Sequence, residues 1–327
     1  RPPPRTYQSA MNAIDPLAAN LTLPPRTTPS RWRIWFQAVR FFSFTASAIP
    51  ILVGSALALV DRAFDPLLFL LMIAASIACH AGANLANDYF DHVKGVDTPE
   101  SLGPSKVIQQ ALLTPAEVRR GMIVSFAVAT LLGLVIVAQT GWQILALAFA
   151  SLGAAYFYTG GPKPLGYIAL GELTVLIFMG PVMVGGAYYV MAERVTWDAI
   201  LASLPIGFLV AAILHANNIR DIDLDRRAGK VTLATLFGRQ WANLEYLGLV
   251  AGAYLATALW IAIDVSFWPL TLVVVTIPAA TALVRLVCSA AEGRALNVAL
   301  RRTAGLHLRF GSLFTLGLLI RAAIDRV

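Results

Sequence analysis

The chain has 327 residues, of which 58% are hydrophobic and only 13% charged, about half the charged share of an ordinary soluble domain. That composition excludes a soluble globular fold and implies a polytopic membrane protein. The formal net charge of +7 is spread along the chain without a basic run of the kind that binds nucleic acid, so it reads as membrane topology plus attraction to anionic lipid or an anionic substrate.

Residues 1–30 are rich in Pro, Ser and Thr, include Pro2-Pro3-Pro4 and Pro24-Pro25, and carry no periodic apolar face. They read as a flexible tail ahead of a membrane domain over residues 31–327, with the stretch before Met11 as an extension. Apolar runs separated by polar interruptions then predict about nine helices, each about 18–27 residues long, starting near residues 40, 66, 116, 141, 166, 198, 243, 266 and 306. With the N-terminus on the cytoplasmic side, 21 of the 25 Lys and Arg residues fall in inside segments, leaving Arg62, Arg194, Arg321 and Arg326 outside, as the positive-inside rule requires. The longest polar stretches, after the second, sixth and eighth helices, all lie on that inner face. Cys79 and Cys288 sit in apolar runs and are expected as free thiols without a metal role.

Two acidic constellations end the second and sixth helices. The first is Asn84-Leu-Ala-Asn87-Asp88-Tyr89-Phe90-Asp91, with Asp97 beyond it, and the second is Asn217-Asn218-Ile-Arg220-Asp221-Ile-Asp223-Leu-Asp225. At roughly 100° per residue, Asn84, Asn87, Asp88 and Asp91 form one polar stripe. Asn217, Asn218, Asp221 and Asp225 form a second, while Asp223 points elsewhere. The two ends lie four helices apart, which hints at an internal duplication. An interfacial helix end accounts for any single Asp, but two such stripes on one side of the membrane call for a polar cavity, because a carboxylate inside a membrane helix costs about 2.5–3.5 kcal/mol.

Facing sets of carboxylates and amides suit Mg²⁺, which takes oxygen ligands and is commonly shared between carboxylates and a substrate's phosphates. Lys94, Lys106, Lys163, Arg220 and Lys230 lie on the side where they can contact the remaining phosphate oxygens. An ion-coupled transporter also places acids in the membrane, but near its middle and on broken helices, whereas both sets here end helices on one side. Among the other polar residues, His80 and His215 suit hydrogen-bonded packing better than metal ligation. Tyr156 and Tyr158 suit either a membrane-interface belt or a cation-stabilising wall. The turn Gly160-Gly161-Pro162-Lys163-Pro164 reads as one that brings Lys163 over the pocket, or as a plain loop. Glu172, about two turns into the fifth helix, suits a hydrogen bond inside the bundle as well as catalysis, and Trp32 and Trp35 read as interfacial anchors.

Beyond these residues, the full first string with Gly95-Val-Asp97 and the second with Gly229-Lys230-Val-Thr232 resemble the two Asp-rich motifs of the UbiA superfamily of intramembrane prenyltransferases. Gly103-Pro104-Ser-Lys106-Val-Ile-Gln109-Gln110, Tyr156-Phe-Tyr158-Thr-Gly-Gly-Pro162-Lys163-Pro164-Leu-Gly166-Tyr167, and Gly171-Glu172 with Phe178-Met-Gly180-Pro181 are similar to its 1,4-dihydroxy-2-naphthoate branch. Lys106 stands where many relatives carry Arg. The resemblance implies an all-α membrane bundle around a central cavity open to the cytoplasmic side and the lipid, in a bacterial inner membrane. It implies transfer of a polyprenyl group from polyprenyl diphosphate to 1,4-dihydroxy-2-naphthoate with loss of CO₂, or, in a close variant, to 4-hydroxybenzoate or homogentisate. Mg²⁺ is then expected on Asp88, Asp91, Asp221 and Asp225, with Asn84 and Asp97 as further donors, and catalytic parts fall to Lys163 and Tyr156. Substrate contacts fall to Asn84, Asn87, Lys94, Lys106, Gln109, Tyr158, Asn217, Asn218, Arg220 and Lys230.

Overall fold

A computed structural model describes residues 29–97, 103, 105–290 and 293–326; the tail expected over residues 1–30 lies almost wholly outside them, as does Pro104. Helix starts are written locally. Asp65 accepts from the Leu68 N–H ahead of Pro66, and Thr114 accepts from Glu117 N–H while Glu117 caps Thr114 in return. Thr196 and Thr232 cap two further helices through Ala199 and Thr235. Each such side chain satisfies an orphan backbone donor.

The resulting helices are α1 (Arg31–Ala38), α2 (Thr45–Val60), α3 (Pro66–Val93), α4 (Pro115–Thr140), α5 (Gln143–Phe157), α6 (Gly171–Ile177), α7 (Met183–Ala192), α8 (Trp197–Arg227), α9 (Leu233–Ile263), α10 (Ile277–Ser289) and α11 (Gly293–Ile324). A π-turn at Phe178–Val182 joins α6 to α7 where Pro181 lacks an N–H, and a 3₁₀ stretch, Val265–Thr276, runs into α10. Among the described residues no strand forms, and one isolated bridge pairs Ile168 with Val231.

Eight of the described segments are long and apolar enough to cross a membrane. The expected fourth span is shorter than predicted: α5 has 15 residues, about 22 Å at 1.5 Å per residue. The seventh and ninth start earlier than the apolar runs implied, at Leu233 and Gly293. Their first turns carry charges such as Arg239, which interrupt the hydropathy without interrupting the helix. Gly238, at φ 78°, kinks α9 where the apolar run begins, a conformation open to glycine at little cost.

Helices α2 and α8 form the centre, with 61% and 72% of their apolar windows buried, whereas α3 and α4 have 17% buried. The outer pair has lipid on one face and a cavity on the other, so little of it meets protein. Close approaches between inner helices rest on glycines: a Cβ on Gly54 would lie 2.3 Å from Val184 O on α7, and Gly180 faces Gly207 across α8. Trp35 packs its indole over Gly121 of α4 and belongs to the small core around Leu85, Val107 and Met122. It is therefore a packing residue, not the surface anchor expected of it, while Trp32 is 77% exposed. Cys79 and Cys288 are free.

Gly54→Leu should force α2 and α7 apart and lower thermal stability by about 1–3 kcal/mol, the usual cost of overpacking. Gly133→Leu, where nothing lies within 4 Å of the added atom, should melt like the unmodified protein in detergent; equal melting of the two variants would contradict this packing.

Candidate active site

Asp88 and Asp91 close the last turns of α3, and Asp221 and Asp225 the last turns of α8. Carboxylates at helix C-termini oppose the helix dipole, and all four sites are largely shielded from solvent, with Asp88 4%, Asp91 6% and Asp225 3% exposed. Each is held by donors from elsewhere. Arg40 Nη2 donates to Asp88 Oδ1 at 2.5 Å and to Asn87 Oδ1 at 2.6 Å. Asn87 Nδ2 donates to Asp91 Oδ2 at 2.9 Å, and the Tyr167 hydroxyl donates to Asp91 Oδ1. Arg220 grips Asp221 with two nitrogens at 2.8 and 2.5 Å. Lys230 Nζ lies 3.2 Å from Asp225 Oδ2.

Lys230 joins the two acidic ends, being within electrostatic reach of Asp225, Asp91 and Asp221 together. Burial favours its neutral form, but the three carboxylates outweigh burial and hold its pKa above the ordinary lysine value. A raised folded-state pKa contributes stability that is fully present below the unfolded lysine value of about 10.4 and is lost as pH rises through the folded one. The pair therefore persists throughout the neutral range. Asp97 sits close enough to Asp88 and Asp91 to interact with both, and its N–H bonds Asp91 O at 3.1 Å. Asp223 is directed outward, 82% exposed and 3.6 Å from Arg226, as its helical angle requires.

Below this polar mouth lies a cavity of about 430 Å³, bounded by α2 to α8. Arg40, Asn84, Asn87, Tyr158, Tyr167, Asn217, Asn218 and Lys230 line its polar part, and Met72, Ile136, Ile144, Met183 and Val190 its apolar part. Met72 and Asn87 are 15 residues apart on one helix, so the lining extends about 22 Å along α3. Asn84 spends its NH₂ on Val39 O at 2.8 Å and Ser43 Oγ at 3.2 Å, which leaves its amide oxygen for a ligand. His80 lines the same space with both ring nitrogens bonded, to Ser43 Oγ at 3.0 Å and Ser47 Oγ at 2.6 Å.

Several predicted residues are placed differently. Lys163 is exposed and makes no hydrogen bond or ion pair among the described residues, because the Gly160–Gly161 turn sends it outward. Tyr156 sets its ring edge-on to Phe90, 5.5 Å away, outside the cavity lining. Lys106, at φ 52°, and Gln109 sit on the segment packed over α3 and α4, also away from the lining. Lys94 donates to Thr159 O at 2.7 Å and to Gly161 O at 3.4 Å. Burial lowers its pKa, partly offset by Asp91. Arg220 also reaches Asn217 Oδ1 and Asn297 Oδ1, at 2.8 and 2.9 Å, so its contacts run between α8 and α11.

Glu172 lies in the first turn of α6, nearer its end than the sequence implied. Its Oε1 meets His215 Nδ1 at 3.0 Å and Asn218 Nδ2 at 2.8 Å. His215 Nε2 faces Ala242 O at 2.8 Å and Glu245 Oε2 at 3.6 Å. Glu172, His215 and Glu245 form the one convergence of three metal-type side chains among the described residues. Both imidazole nitrogens already face acceptors on opposite edges of the ring, so His215 is fully engaged, while Glu172 Oε2 is buried without a hydrogen-bond partner. The cluster ties Asn218 on α8 to α6 and α9.

Arg40 and Tyr167 escaped sequence reasoning as site residues. Arg40 follows α1 and has φ 54°, a left-handed conformation uncommon outside glycine, and this aims it at α3. Tyr167, five residues after Pro162 of the Gly-Gly-Pro turn, stands inside the family-like string, but nothing local there assigns it a role.

Asp88 Oδ2 is buried without a hydrogen-bond partner, an arrangement that costs about 1–3 kcal/mol unless a cation meets it. Oxygen donors from carboxylates and amides, one of them unpaired, match the preference of a hard divalent ion. Arg40→Met should strip Asp88 of its cationic partner, leaving only the Ser105 side chain beside it, and lower stability by about 1.5–3 kcal/mol. Adding Asp88→Asn should recover most of that loss in a thermal melt; no recovery would mean that Arg40 acts elsewhere.

A model of the UbiA prenyltransferase family matches residues 47–301. A 1,4-dihydroxy-2-naphthoate octaprenyltransferase from Bacillus subtilis (strain 168) is 34% identical over 292 residues, which are 89% of this chain and 94% of that protein. The UbiA prenyltransferase domain-containing protein 1 of Homo sapiens is 32% identical over 305 residues, 92% of this chain and 88% of that one. A solved UbiA homolog from Archaeoglobus fulgidus, bound to DMAPP and Mg²⁺, has the same fold with a TM-score of 0.61 at 13% identity, over 86% of this chain and 98% of that one. With its helical membrane architecture, its two acidic helix ends and a family match over most of its length, this chain belongs to the UbiA prenyltransferase family.

Proposed function

We propose that this chain transfers a polyprenyl group from polyprenyl diphosphate to 1,4-dihydroxy-2-naphthoate, releasing CO₂ and diphosphate and giving demethylmenaquinol, the reduced form of demethylmenaquinone. The observation that carries this reading is the junction of an acidic, cation-braced mouth with a deep apolar cavity, which fits an amphiphile with an anionic head and a long hydrocarbon tail. Similarity over most of the chain to proteins named as naphthoate octaprenyltransferases supports the acceptor. The distribution of basic residues supports a cytoplasmic-facing mouth, and similarity to bacterial proteins supports a bacterial cytoplasmic membrane.

In this reading Asp88, Asp91, Asp221 and Asp225 hold Mg²⁺ with the diphosphate, assisted by the Asn84 oxygen and by Asp97. An Mg²⁺ ion held by these residues would supply Lewis-acid stabilisation of the leaving diphosphate. Lys230 lies between the acidic ends to meet phosphate oxygens, and Lys94 stands beside it. The allylic C–O bond breaks, its electron pair leaving with diphosphate, and the ring carbon bearing the acceptor's carboxylate forms the new C–C bond. Loss of that carboxylate as CO₂ returns the electrons to the ring. Tyr158, on the cavity wall, presents an aromatic face to the cation-like carbon. The apolar lining excludes water, which would otherwise trap that carbon as an alcohol.

Purified protein in liposomes, supplied with polyprenyl diphosphate, Mg²⁺ and naphthoate labelled in its carboxyl carbon, should release labelled CO₂ and form a product of the mass of demethylmenaquinol, or of its quinone after oxidation by air. Label retained in the product, or preferential use of 4-hydroxybenzoate or homogentisate, would overturn the acceptor assignment. Asp88→Asn and Asp221→Asn should each reduce product formation by about 100-fold or more, the scale of several kcal/mol of lost leaving-group stabilisation; a rate within a few-fold of the unmodified protein in either variant would remove that residue from the metal set.

A further inference from the structure

The two acidic ends sit on helices with different main neighbours: α3 packs chiefly on α4, and α8 chiefly on α9. Their spacing is therefore set by whatever spans the gap, and one side chain touches both banks. Tyr167 ends a short 3₁₀ turn, Leu165–Tyr167. Its hydroxyl donates to Asp91 Oδ1 on the α3 side. Its carbonyl accepts from Val231 N–H at 3.1 Å, and Ala169 N–H donates to Val231 O at 2.9 Å, which zips this turn to the residue after Lys230. Its ring lies 4.9 Å from Lys94 Nζ and 5.5 Å from Lys230 Nζ, within cation–π range of both.

The turn is itself braced. Lys94 Nζ bonds Thr159 O at 2.7 Å, and Gly166 N–H bonds Tyr158 O at 2.9 Å. A Cβ on Gly166 would lie 3.1 Å from the Tyr158 ring, and Ala169 takes a left-handed φ of 59°. Donation by Tyr167 engages one lone pair of Asp91 Oδ1 and leaves the carboxylate able to accept a cation as well.

We infer that Tyr167 is a positioning residue for the divalent diphosphate site, fixing Asp91 relative to Lys230 and Asp225 through one hydroxyl, one ring and one backbone bridge. The inference rests on the reading that these carboxylates hold that ligand. A residue that merely tied down a loop would affect melting temperature but not the affinity of the site for a cation.

The test is Mn²⁺ binding with inorganic pyrophosphate, followed by electron paramagnetic resonance on the monodisperse full-length protein in nanodiscs, alongside the Mg²⁺ dependence of product formation. Tyr167→Phe keeps the ring and removes the hydroxyl; it should weaken Mn²⁺ binding about tenfold or more and raise the Mg²⁺ requirement similarly, the effect of one charge-assisted hydrogen bond. Lys94→Met, which spares the hydroxyl and the bridge, should weaken binding less than Tyr167→Phe does. Mn²⁺ binding by Tyr167→Phe equal to that of the unmodified protein, with binding lost in Asp91→Asn, would overturn the role of Tyr167 and leave the site reading standing. Unchanged binding in Asp91→Asn would instead remove the site reading and the inference with it.

Discussion

Four carboxylates gathered at one end of an apolar bundle require matched donors, and meeting that requirement shapes the parts of the chain around them. Asp88 is met by Arg40, Asp91 by Tyr167, Asp221 by Arg220 and Asp225 by Lys230. Only Arg220 comes from within the same helix as its partner. Arg40 arrives from the break after α1, Tyr167 from the turn before α6, and Lys230 from the loop between α8 and α9. Each connecting segment is thereby ordered by the cost of leaving a buried charge unpaired, which for a buried ion pair reaches about 3–5 kcal/mol. Unusual backbone follows the same demand: Arg40 and Ala169 take positive φ where the chain must turn sharply to deliver or support a donor.

The same constraint divides the bundle by function. Central helices α2 and α8 are packed through small residues such as Gly54, Gly180 and Gly207, giving a stiff frame on which Asn217, Asn218 and Asp221 are mounted. The network of Glu172, His215 and Glu245 extends that frame to α6 and α9, so the second acidic end is anchored on three sides. The outer helices α3 and α4 are backed by less protein and wall the cavity instead. A site that must take a long apolar tail and a multiply charged head thus combines a rigid polar rim with an apolar chamber between loosely backed helices.

Much of this was legible in the order of residues. Period-3.6 spacing placed Asn84, Asn87, Asp88 and Asp91 on one face of α3 and turned Asp223 outward on α8, and both statements depend only on local helix geometry. The composition required a membrane bundle, and the runs of apolar residues located most spans. Boundaries differ where charge reads as loop: Arg239 lies within α9, since helices continue past the hydrocarbon layer and carry charges on their protruding turns. For Lys163 two readings stay open in the sequence, because a Gly-Gly-Pro turn has no direction there; in the structure the lysine is exposed and outside the cavity lining.

The sequence by itself determined the environment, the helical class and the identity of the acidic stripes, because hydropathy and helical periodicity act over neighbours within a few turns. Only the tertiary structure decided which cation meets which carboxylate, that Tyr167 links the two acidic ends, and that Glu172 spends its charge on His215 and Asn218. Apart from Arg220 with Asp221 and Lys230 with Asp225, these pairings join residues separated by 43 to 76 positions, and such contacts follow from how whole helices pack, information that no local pattern carries.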